Sequence, residues 1–127
     1  MLTNSIEVIT LFVTDISACK AFYQKVFAPQ VLFEDDASAV LQFSSLMINL
    51  LDESRAPTLV TPLSVAPAAA GSRMLLTIRV KDVDTVCANL KDLGIELLNG
   101  PIDRPWGRRT AAFADPSGHV WEVAHLI

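Results

Sequence analysis

The chain has 127 residues, 51% of them hydrophobic and 19% charged. This composition is typical of one globular domain, residues 1–127, that is large enough to have a buried core. Its net charge of −4 comes from 10 basic and 14 acidic residues without a long run of either sign, so the basic footprint of a nucleic-acid-binding protein is missing. No signal-peptide pattern opens the chain and no apolar run reaches the ~20 residues of a membrane span, so we expect a cytoplasmic protein.

The first half of the chain predicts one strand, one helix and three further strands. Residues 6–13 are apolar and β-branched, which is typical of a strand covered on both faces. Asp15 can cap the helix that follows, where apolar residues recur at helical spacing until Pro29 ends it. Three short apolar runs then predict three strands, at residues 31–34, 39–43 and 46–51. Module one, residues 5–52, is therefore a predicted βαβββ unit.

Residues 53–73 interrupt this pattern. They contain three prolines and an alanine run before Gly71, with little periodicity, which is typical of a linker or a surface loop. A segment of this length either joins two modules or covers a site, and both options stay open at this point.

The second half restarts the same order of elements as module two, residues 74–127. Residues 74–80 predict a strand, and Asp82 or Asp84 can cap a helix that Gly94 ends. A further strand is predicted at residues 95–98, and Gly100-Pro101 is predicted to form a turn. The last two strands, residues 110–114 and 119–123, form a predicted β-hairpin around the turn sequence Asp115-Pro116-Ser117-Gly118.

The two halves are similar to each other. A shift of 67 residues superposes Thr10 on Thr77 and Asp15 on Asp82, which indicates duplication of one supersecondary unit. The alternative is that any two strand-helix starts look alike, since valine, aspartate and helix caps are common.

The final hairpin, with its approach Trp106-Gly107-Arg108-Arg109, resembles the C-terminal signature of the vicinal oxygen chelate superfamily, which includes glyoxalases, bleomycin-resistance proteins and dioxygenases. Residues 13–16 and Phe22-Tyr23 resemble the first strand and helix of that family. The resemblance covers nearly the whole chain. It implies an α+β fold in which two βαβββ modules form a curled mixed sheet around a concave cup.

Strand parity predicts which side chains line this cup. Side chains alternate across a strand, so the consistently apolar set faces the helix and the remaining set faces the cup. The polar members of the remaining set are Thr10, Asn49, Thr77, Arg79 and Glu122. A mostly apolar wall with a few polar groups is typical of a small-molecule site. The alternatives are that Glu122 points at water from an edge strand, or that the cup is filled and Arg79 pairs with Glu122 as a structural ion pair.

In metal-binding members of the family, the resemblance assigns four ligand positions, which fall here on Val8, Asn49, Leu75 and Glu122. Of these only Glu122 is a good donor, and one carboxylate with one neutral amide does not hold a divalent transition metal tightly. His119 and His125 have the parity of Trp121, away from Glu122, so a relocated metal site is the weaker alternative. We expect no metal and no other cofactor, which argues against glyoxalase-type isomerisation, ring-cleaving dioxygenation and metal-dependent thiol transfer.

The sequence therefore favours a metal-free small-molecule binding protein that resembles bleomycin-resistance and other antibiotic-binding proteins. We expect apolar or stacking contacts from Phe12, Met47 and Trp106, a hydrogen bond from Asn49, and attraction of a cationic group by Glu122. An acceptor on the ligand would bind Arg79 or Arg109. The predicted ligand-binding residues are Thr10, Phe12, Met47, Asn49, Thr77, Arg79, Trp106, Arg109 and Glu122.

The alternative function is an enzyme of the same fold, a glyoxalase-like lyase or isomerase. It would be metal-dependent with ligands completed by a partner chain, or metal-free with Glu122 as general acid or base. A third candidate is a structural or regulatory subunit with a filled cup. The expected partners are a small organic molecule, aromatic or cationic, and a second copy of the chain in a homodimer, which the resemblance implies. Cys19 and Cys87 fall on predicted helices as small core residues.

Overall fold

The computed structural model describes residues 1–127 and divides the chain into two compact units, residues 1–68 and 69–127. The boundary falls within the segment that was predicted to be a linker. Each unit contains one four-stranded mixed sheet and a helix that precedes its last three strands. The predicted α+β class with two βαβββ modules is therefore confirmed. No helix is long and apolar enough to cross a lipid bilayer.

Module one contains β1 (Val8–Val13), α1 (Ile16–Phe27), β2 (Gln30–Glu34), β3 (Ser38–Gln42) and β4 (Met47–Asp52). The strand order is β1-β4-β3-β2, with β1 parallel to β4 and the other neighbours antiparallel. Asp15 caps α1 as predicted, because its carboxylate accepts a hydrogen bond from the backbone N–H of Ala18 at 3.0 Å. The helix ends at Ala28, which has a left-handed φ of 45° and precedes Pro29.

Alternate residues of this sheet pack under α1 and form the core of module one. Those on β1, β3 and β4 include six residues that are at most 1% exposed: Leu11, Val13, Ala39, Leu41, Ile48 and Leu50. The other alternate residues form what we call the helix-distal face of module one: Val8, Thr10, Phe12, Ser38, Val40, Gln42, Met47, Asn49 and Leu51. The parity predicted from the sequence for β1 and β4 is confirmed.

The segment between the modules is partly helical. It contains a 3-10 turn at Glu53–Arg55, a short helix α2 (Pro57–Val60) and a second 3-10 turn at Ala68–Ala70. Ala56, between the first two of these, is completely buried. Part of the predicted linker therefore packs as ordered structure.

Module two contains β5 (Leu75–Arg79), α3 (Val83–Asp92), β6 (Leu97–Arg104), β7 (Arg108–Ala114) and β8 (Val120–Leu126). The strand order β5-β8-β7-β6, with β5 parallel to β8, repeats that of module one. Asp82 caps α3 by accepting a hydrogen bond from the backbone N–H of Asp84 at 3.0 Å. The predicted hairpin turn is confirmed, because the N–H of Gly118 donates to the carbonyl of Asp115 at 3.0 Å.

The predicted turn at Gly100-Pro101 is wrong. Strand β6 continues through these residues to Arg104, and its pairing with β7 shifts register twice on the way. Gly100 has a φ of 90°, and a Cβ there would press on the carbonyl oxygen of Thr110 and lie 2.7 Å from Ala111 Cα. A bulge with such a close backbone approach requires glycine, so the glycine marks a bulge inside a strand.

The core of module two lies between α3 and one face of its sheet. Trp121 and Val123 are 3% and 4% exposed and pack on this side, as the sequence predicted. The cysteines of both modules, Cys19 and Cys87, are buried and form no disulfide bond, which confirms their assignment to the core. The opposite alternate residues form the helix-distal face of module two: Leu75, Thr77, Arg79, Asn99, Ile102, Arg104, Arg108, Thr110, Ala112, Ala114, Val120, Glu122 and Ala124.

Candidate ligand-binding site

Each module carries the same kind of polar pair at the same place in its sheet. In module one, Thr10 lies directly opposite Asn49, whose Nδ2 donates to Thr10 Oγ1 at 3.4 Å. In module two, Thr77 lies directly opposite Glu122, and its Oγ1 donates to Glu122 Oε1 at 3.0 Å. Both pairs join parallel neighbouring strands on the helix-distal face. Each sheet therefore has a threonine beside one longer polar side chain.

Glu122 is half-buried between Thr77 on one side and Ala112 on the other. One carboxylate oxygen accepts the hydrogen bond from Thr77, and no cation forms an ion pair with either oxygen. Arg79 lies beside Ala124 and does not pair with Glu122, so the alternative of a structural ion pair between these two residues is wrong. Glu122 therefore keeps its negative charge uncompensated.

Asn49 lies on the helix-distal face of module one between apolar neighbours on β1 and β4. Its neighbouring cross-strand pairs on β1 and β4 are Val8 with Met47 and Phe12 with Leu51, and all but Val8 are half-buried. Asn49 Oδ1 is buried and accepts no hydrogen bond within the chain. Such acceptors are rare in folded proteins, because an unpaired buried carbonyl costs about 1–3 kcal/mol. Asn49 can therefore accept a further hydrogen bond.

The structure does not bring Arg109 to the helix-distal face. Its side chain points towards α3, where Nε and Nη2 donate to Asp84 at 3.0 and 2.9 Å and Nη1 donates to Asp103 at 3.0 Å. The carboxylate of Asp84 raises the pKa of Arg109, and Arg109 in turn holds the pKa of Asp84 below its usual value. The guanidinium of Arg109 therefore connects α3 to β6 and points away from the helix-distal face, and its binding of a ligand acceptor stays a prediction.

Arg104 takes the position that the sequence analysis gave to Arg109. It lies at the end of β6 on the helix-distal face, where Nε donates to Thr110 Oγ1 at 3.0 Å and Nη2 donates to Asn99 Oδ1 at 3.1 Å. Its Cζ lies 6.0 Å from the ring centroid of Trp106, which is 66% exposed in the turn before β7. The sequence analysis missed Arg104 because it ended the strand at residue 98 and so assigned no face to residues 99–104.

Both histidines already have hydrogen-bond partners within module two. His119 Nδ1 lies 2.8 Å from Asp115 Oδ2 in the hairpin turn. His125 Nδ1 accepts a hydrogen bond from the backbone N–H of Val83 at 2.8 Å, on the side that faces α3. The predicted parity of His125, away from Glu122, is confirmed.

The four positions that the resemblance assigns to metal ligands carry few donors. Val8 and Leu75 have hydrocarbon side chains that are 37% and 51% exposed, which leaves the amide of Asn49 and the carboxylate of Glu122. Neither module contains a group of three or more His, Cys, Asp or Glu side chains that could hold one metal ion. This donor set does not fit a tightly bound divalent transition metal.

The chain is similar to proteins with several different activities. The model of the glyoxalase/bleomycin resistance protein/dioxygenase superfamily matches residues 5–123. The metallothiol transferase FosB of Staphylococcus saprophyticus is 26% identical over 120 residues, covering 94% of this chain and 76% of that protein. A glyoxalase/bleomycin resistance protein/dioxygenase from Nocardioides has a TM-score of 0.85 and 23% identity, covering 100% of this chain and 86% of that one. TnmS3, an antibiotic binding protein from Streptomyces sp. CB03234, has a TM-score of 0.74 and 25% identity, covering 100% of this chain and 99% of that one. The chain therefore belongs to the glyoxalase/bleomycin resistance protein/dioxygenase superfamily.

Proposed function

We propose that this protein binds a small organic molecule, aromatic or cationic, and that it does so without a metal ion. The observation that carries the proposal is the carboxylate of Glu122, half-buried on the helix-distal face and oriented by the hydroxyl of Thr77. A neutral hydroxyl fixes the carboxylate without cancelling its charge. Glu122 therefore attracts a cationic or hydrogen-bond-donating group on a ligand.

Module one carries its own set of apolar contacts in this proposal, on its own helix-distal face. Phe12 and Met47 are half-buried on either side of the Thr10–Asn49 pair. An aromatic ring and a thioether pack well against planar apolar molecules, and the Asn49 amide adds one directional hydrogen bond. Apolar walls with few polar groups are the usual composition of small-molecule sites.

Two further observations support binding without a metal. Val8 and Leu75 replace donors at two of the four positions that the resemblance assigns to metal ligands. TnmS3, 25% identical to this chain, is described as an antibiotic binding protein. We further propose that the protein acts as a homodimer, which size-exclusion chromatography with light scattering would test by a mass of twice 13.8 kDa.

The experiment is a thermal-shift screen of the purified protein with bleomycin and other aromatic or cationic antibiotics, followed by calorimetric titration of the best hit. A ligand that binds only the folded state must raise the melting temperature. We expect Glu122→Gln to weaken binding of a cationic hit at least about tenfold, since hydrogen bonds to charged groups contribute about 1.5–3 kcal/mol. Phe12→Ala should weaken binding of any aromatic hit.

The matched control is Glu96→Gln, which removes the same charge from an exposed position that precedes β6 and lies outside the helix-distal face. This variant should bind the hit like the original protein. Unchanged affinity in both Glu122→Gln and Phe12→Ala would contradict the proposal, as would a screen in which no compound raises the melting temperature.

A second candidate function is a lyase, isomerase or transferase of the same fold, and the 26% identity to the metallothiol transferase FosB favours it. In that case Glu122 acts as a metal ligand completed by donors from a partner chain, or as a general acid or base. Stoichiometric metal in the purified protein, or turnover of a bound compound that Glu122→Gln abolishes, would place this candidate first.

A further inference from the structure

Module two contains four arginines, and only one of them is held by hydrogen bonds without an ion pair that neutralises its charge. Arg109 is held between two carboxylates, whereas Arg79 is exposed and makes no hydrogen bond or ion pair. Arg104 differs from both, because its two partners, Thr110 Oγ1 and Asn99 Oδ1, are neutral. Its guanidinium is therefore held in place by neutral groups, and its positive charge can still attract an anionic group on a ligand.

Arg104 also has N–H groups that form no hydrogen bond within the chain. A guanidinium carries five N–H groups, and the bonds to Thr110 and Asn99 use two of them. Thr110 is 1% exposed, so the atom that anchors Nε is itself fixed in the core of the sheet. The remaining donors include most of the fork that binds a carboxylate or another anionic group in two parallel hydrogen bonds.

The guanidinium of Arg104 bonds the side chain of Asn99, which is one end of a cross-strand row whose other end is Glu122. Asn99 pairs with Ala112, and Ala112 pairs with Glu122, so the three residues form one line across β6, β7 and β8. Ala112 is 6% exposed and its methyl group projects little, so it forms an apolar floor between the two charges. Two strand spacings, about 10 Å, separate the backbones of Asn99 and Glu122 at the ends of the row.

Trp106 adds a flat apolar surface next to the positive end of this row. Its indole ring is 66% exposed and has Arg104 Cζ over it at 6.0 Å. A guanidinium over an indole leaves the other ring face available for stacking. The same end of the row can therefore contact both an anionic group and an aromatic ring.

We propose that the ligand of module two is a dipolar aromatic molecule, whose anionic group binds Arg104 and whose cationic group binds Glu122 on the other side of Ala112. This inference rests on the proposed function and makes it more specific. Arg104 is the specificity-determining residue for the anionic end. The site selects molecules that carry both charges over molecules that carry only one.

Three biphenyls of matched shape test this proposal by calorimetric titration. The dipolar probe is 4′-(aminomethyl)biphenyl-4-carboxylate, the cationic probe is 4-(aminomethyl)biphenyl and the anionic probe is biphenyl-4-carboxylate. We expect the dipolar probe to bind at least about tenfold more tightly than either other probe, since each charged contact contributes about 1.5–3 kcal/mol.

Variants then test which residue binds each charged end of the dipolar probe. Arg104→Gln should weaken the dipolar and anionic probes at least about tenfold and leave the cationic probe unchanged. Glu122→Gln should weaken the dipolar and cationic probes to a similar extent and leave the anionic probe unchanged. Arg104→Lys keeps the charge without the fork and should recover only part of the loss. The matched control is Arg73→Gln, which removes the same charge from an exposed residue that precedes β5 and lies outside the helix-distal face, and it should change binding by about twofold or less.

The outcomes separate this inference from the proposed function. If the cationic probe binds through Glu122 while Arg104→Gln changes none of the three affinities, the dipolar inference is wrong and the proposed function survives. An equal loss for all three probes in a folded Arg104→Gln protein also contradicts the inference, because it indicates a structural role. Failure of every biphenyl to bind overturns the inference, and the antibiotic screen then decides the proposed function separately.

Discussion

His125 caps the helix of module two from a neighbouring strand: its Nδ1 lies 2.8 Å from the backbone nitrogen of Val83, the first residue of α3. A backbone N–H can only donate, so Nδ1 is the acceptor and the ring proton of the neutral imidazole is on Nε2. The cap residue Asp82 does not provide this bond, because its two carboxylate oxygens accept hydrogen bonds from the backbone N–H of Asp84 and the hydroxyl of Thr85. The bond joins the start of α3 to the end of β8.

We predict that His125→Phe destabilises the protein by about 1–3 kcal/mol, because it leaves the fully buried Val83 N–H without a partner. His125→Asn is the matched control, since its Oδ1 can occupy the place of Nδ1 and should recover part of the loss. Urea denaturation followed by circular dichroism measures both variants. Equal unfolding free energies for His125→Phe and the original protein would show that the bond contributes nothing.

The ion pairs of Arg109 predict how stability changes in acid. Arg109 holds the pKa of Asp84 below its usual value of 3.8, so folding favours the ionised carboxylate. The resulting stabilisation is fully present above the pKa of the unfolded chain and is lost as the pH falls through the lower pKa of the folded state. The unfolding free energy should therefore decrease on acidification below about pH 4.

Asp84→Asn should show a smaller decrease over the same pH range, because the amide cannot titrate. Asp36→Asn is the control, since Asp36 is exposed and forms no ion pair, and it should keep the full decrease. Urea denaturation at several pH values down to pH 3 would check both variants. Parallel curves for Asp84→Asn and the original protein would contradict the prediction.

Two glycines of the β6–β7 hairpin should respond differently to alanine. Gly100 and Gly107 both have a positive φ, 90° and 86°, but only Gly100 has backbone atoms of β7 where a Cβ would lie. Gly107→Ala should cost about 1–2 kcal/mol from backbone strain alone. Gly100→Ala adds the displacement of β7 and should cost roughly 2–4 kcal/mol. Thermal unfolding of the two variants compares them directly, and equal losses would argue against the close contact.

Added metal should not stabilise this protein. A metal that binds only the folded state at 100 times its Kd raises the unfolding free energy by about 2.7 kcal/mol. With hydrocarbon side chains at Val8 and Leu75, we expect no increase in melting temperature with Ni²⁺, Mn²⁺, Zn²⁺ or Fe²⁺ after treatment with a chelator. Elemental analysis of the untreated protein provides the independent measurement. A stoichiometric metal content would reverse this expectation.

The order of elements and the helix caps could be predicted from the sequence because each depends on neighbouring residues. Asp15 and Asp82 cap helices by bonding backbone N–H groups two or three residues further on. The buried faces of β1, β4 and β8 were also predictable, because one polar residue in each strand, Thr10, Asn49 or Glu122, marks the opposite face. The Thr77–Glu122 contact follows from this parity together with a parallel register that the structure supplies.

The positions of Arg109, Gly100 and Arg104 were not predicted because the strands predicted around them were too short. The predicted strand started at residue 110, so no parity was available for Arg109, and the structure turns it towards α3. Gly100 and Pro101 are typical of turns, yet the contact that requires a glycine involves Thr110, ten residues away. The predicted cup stays a prediction, since parity assigns the faces of one sheet and does not fix where a second sheet lies.

The tight contact at Gly100 also affects how mutational data on this protein are interpreted. In a deep mutational scan scored only by ligand binding, Gly100 would tolerate as few substitutions as Glu122, although it touches β7 and no ligand contact is proposed for it. Scoring cellular abundance in parallel would distinguish the two. Variants of Gly100 would disappear from the abundance measurement, while Glu122→Gln would stay abundant and lose binding alone.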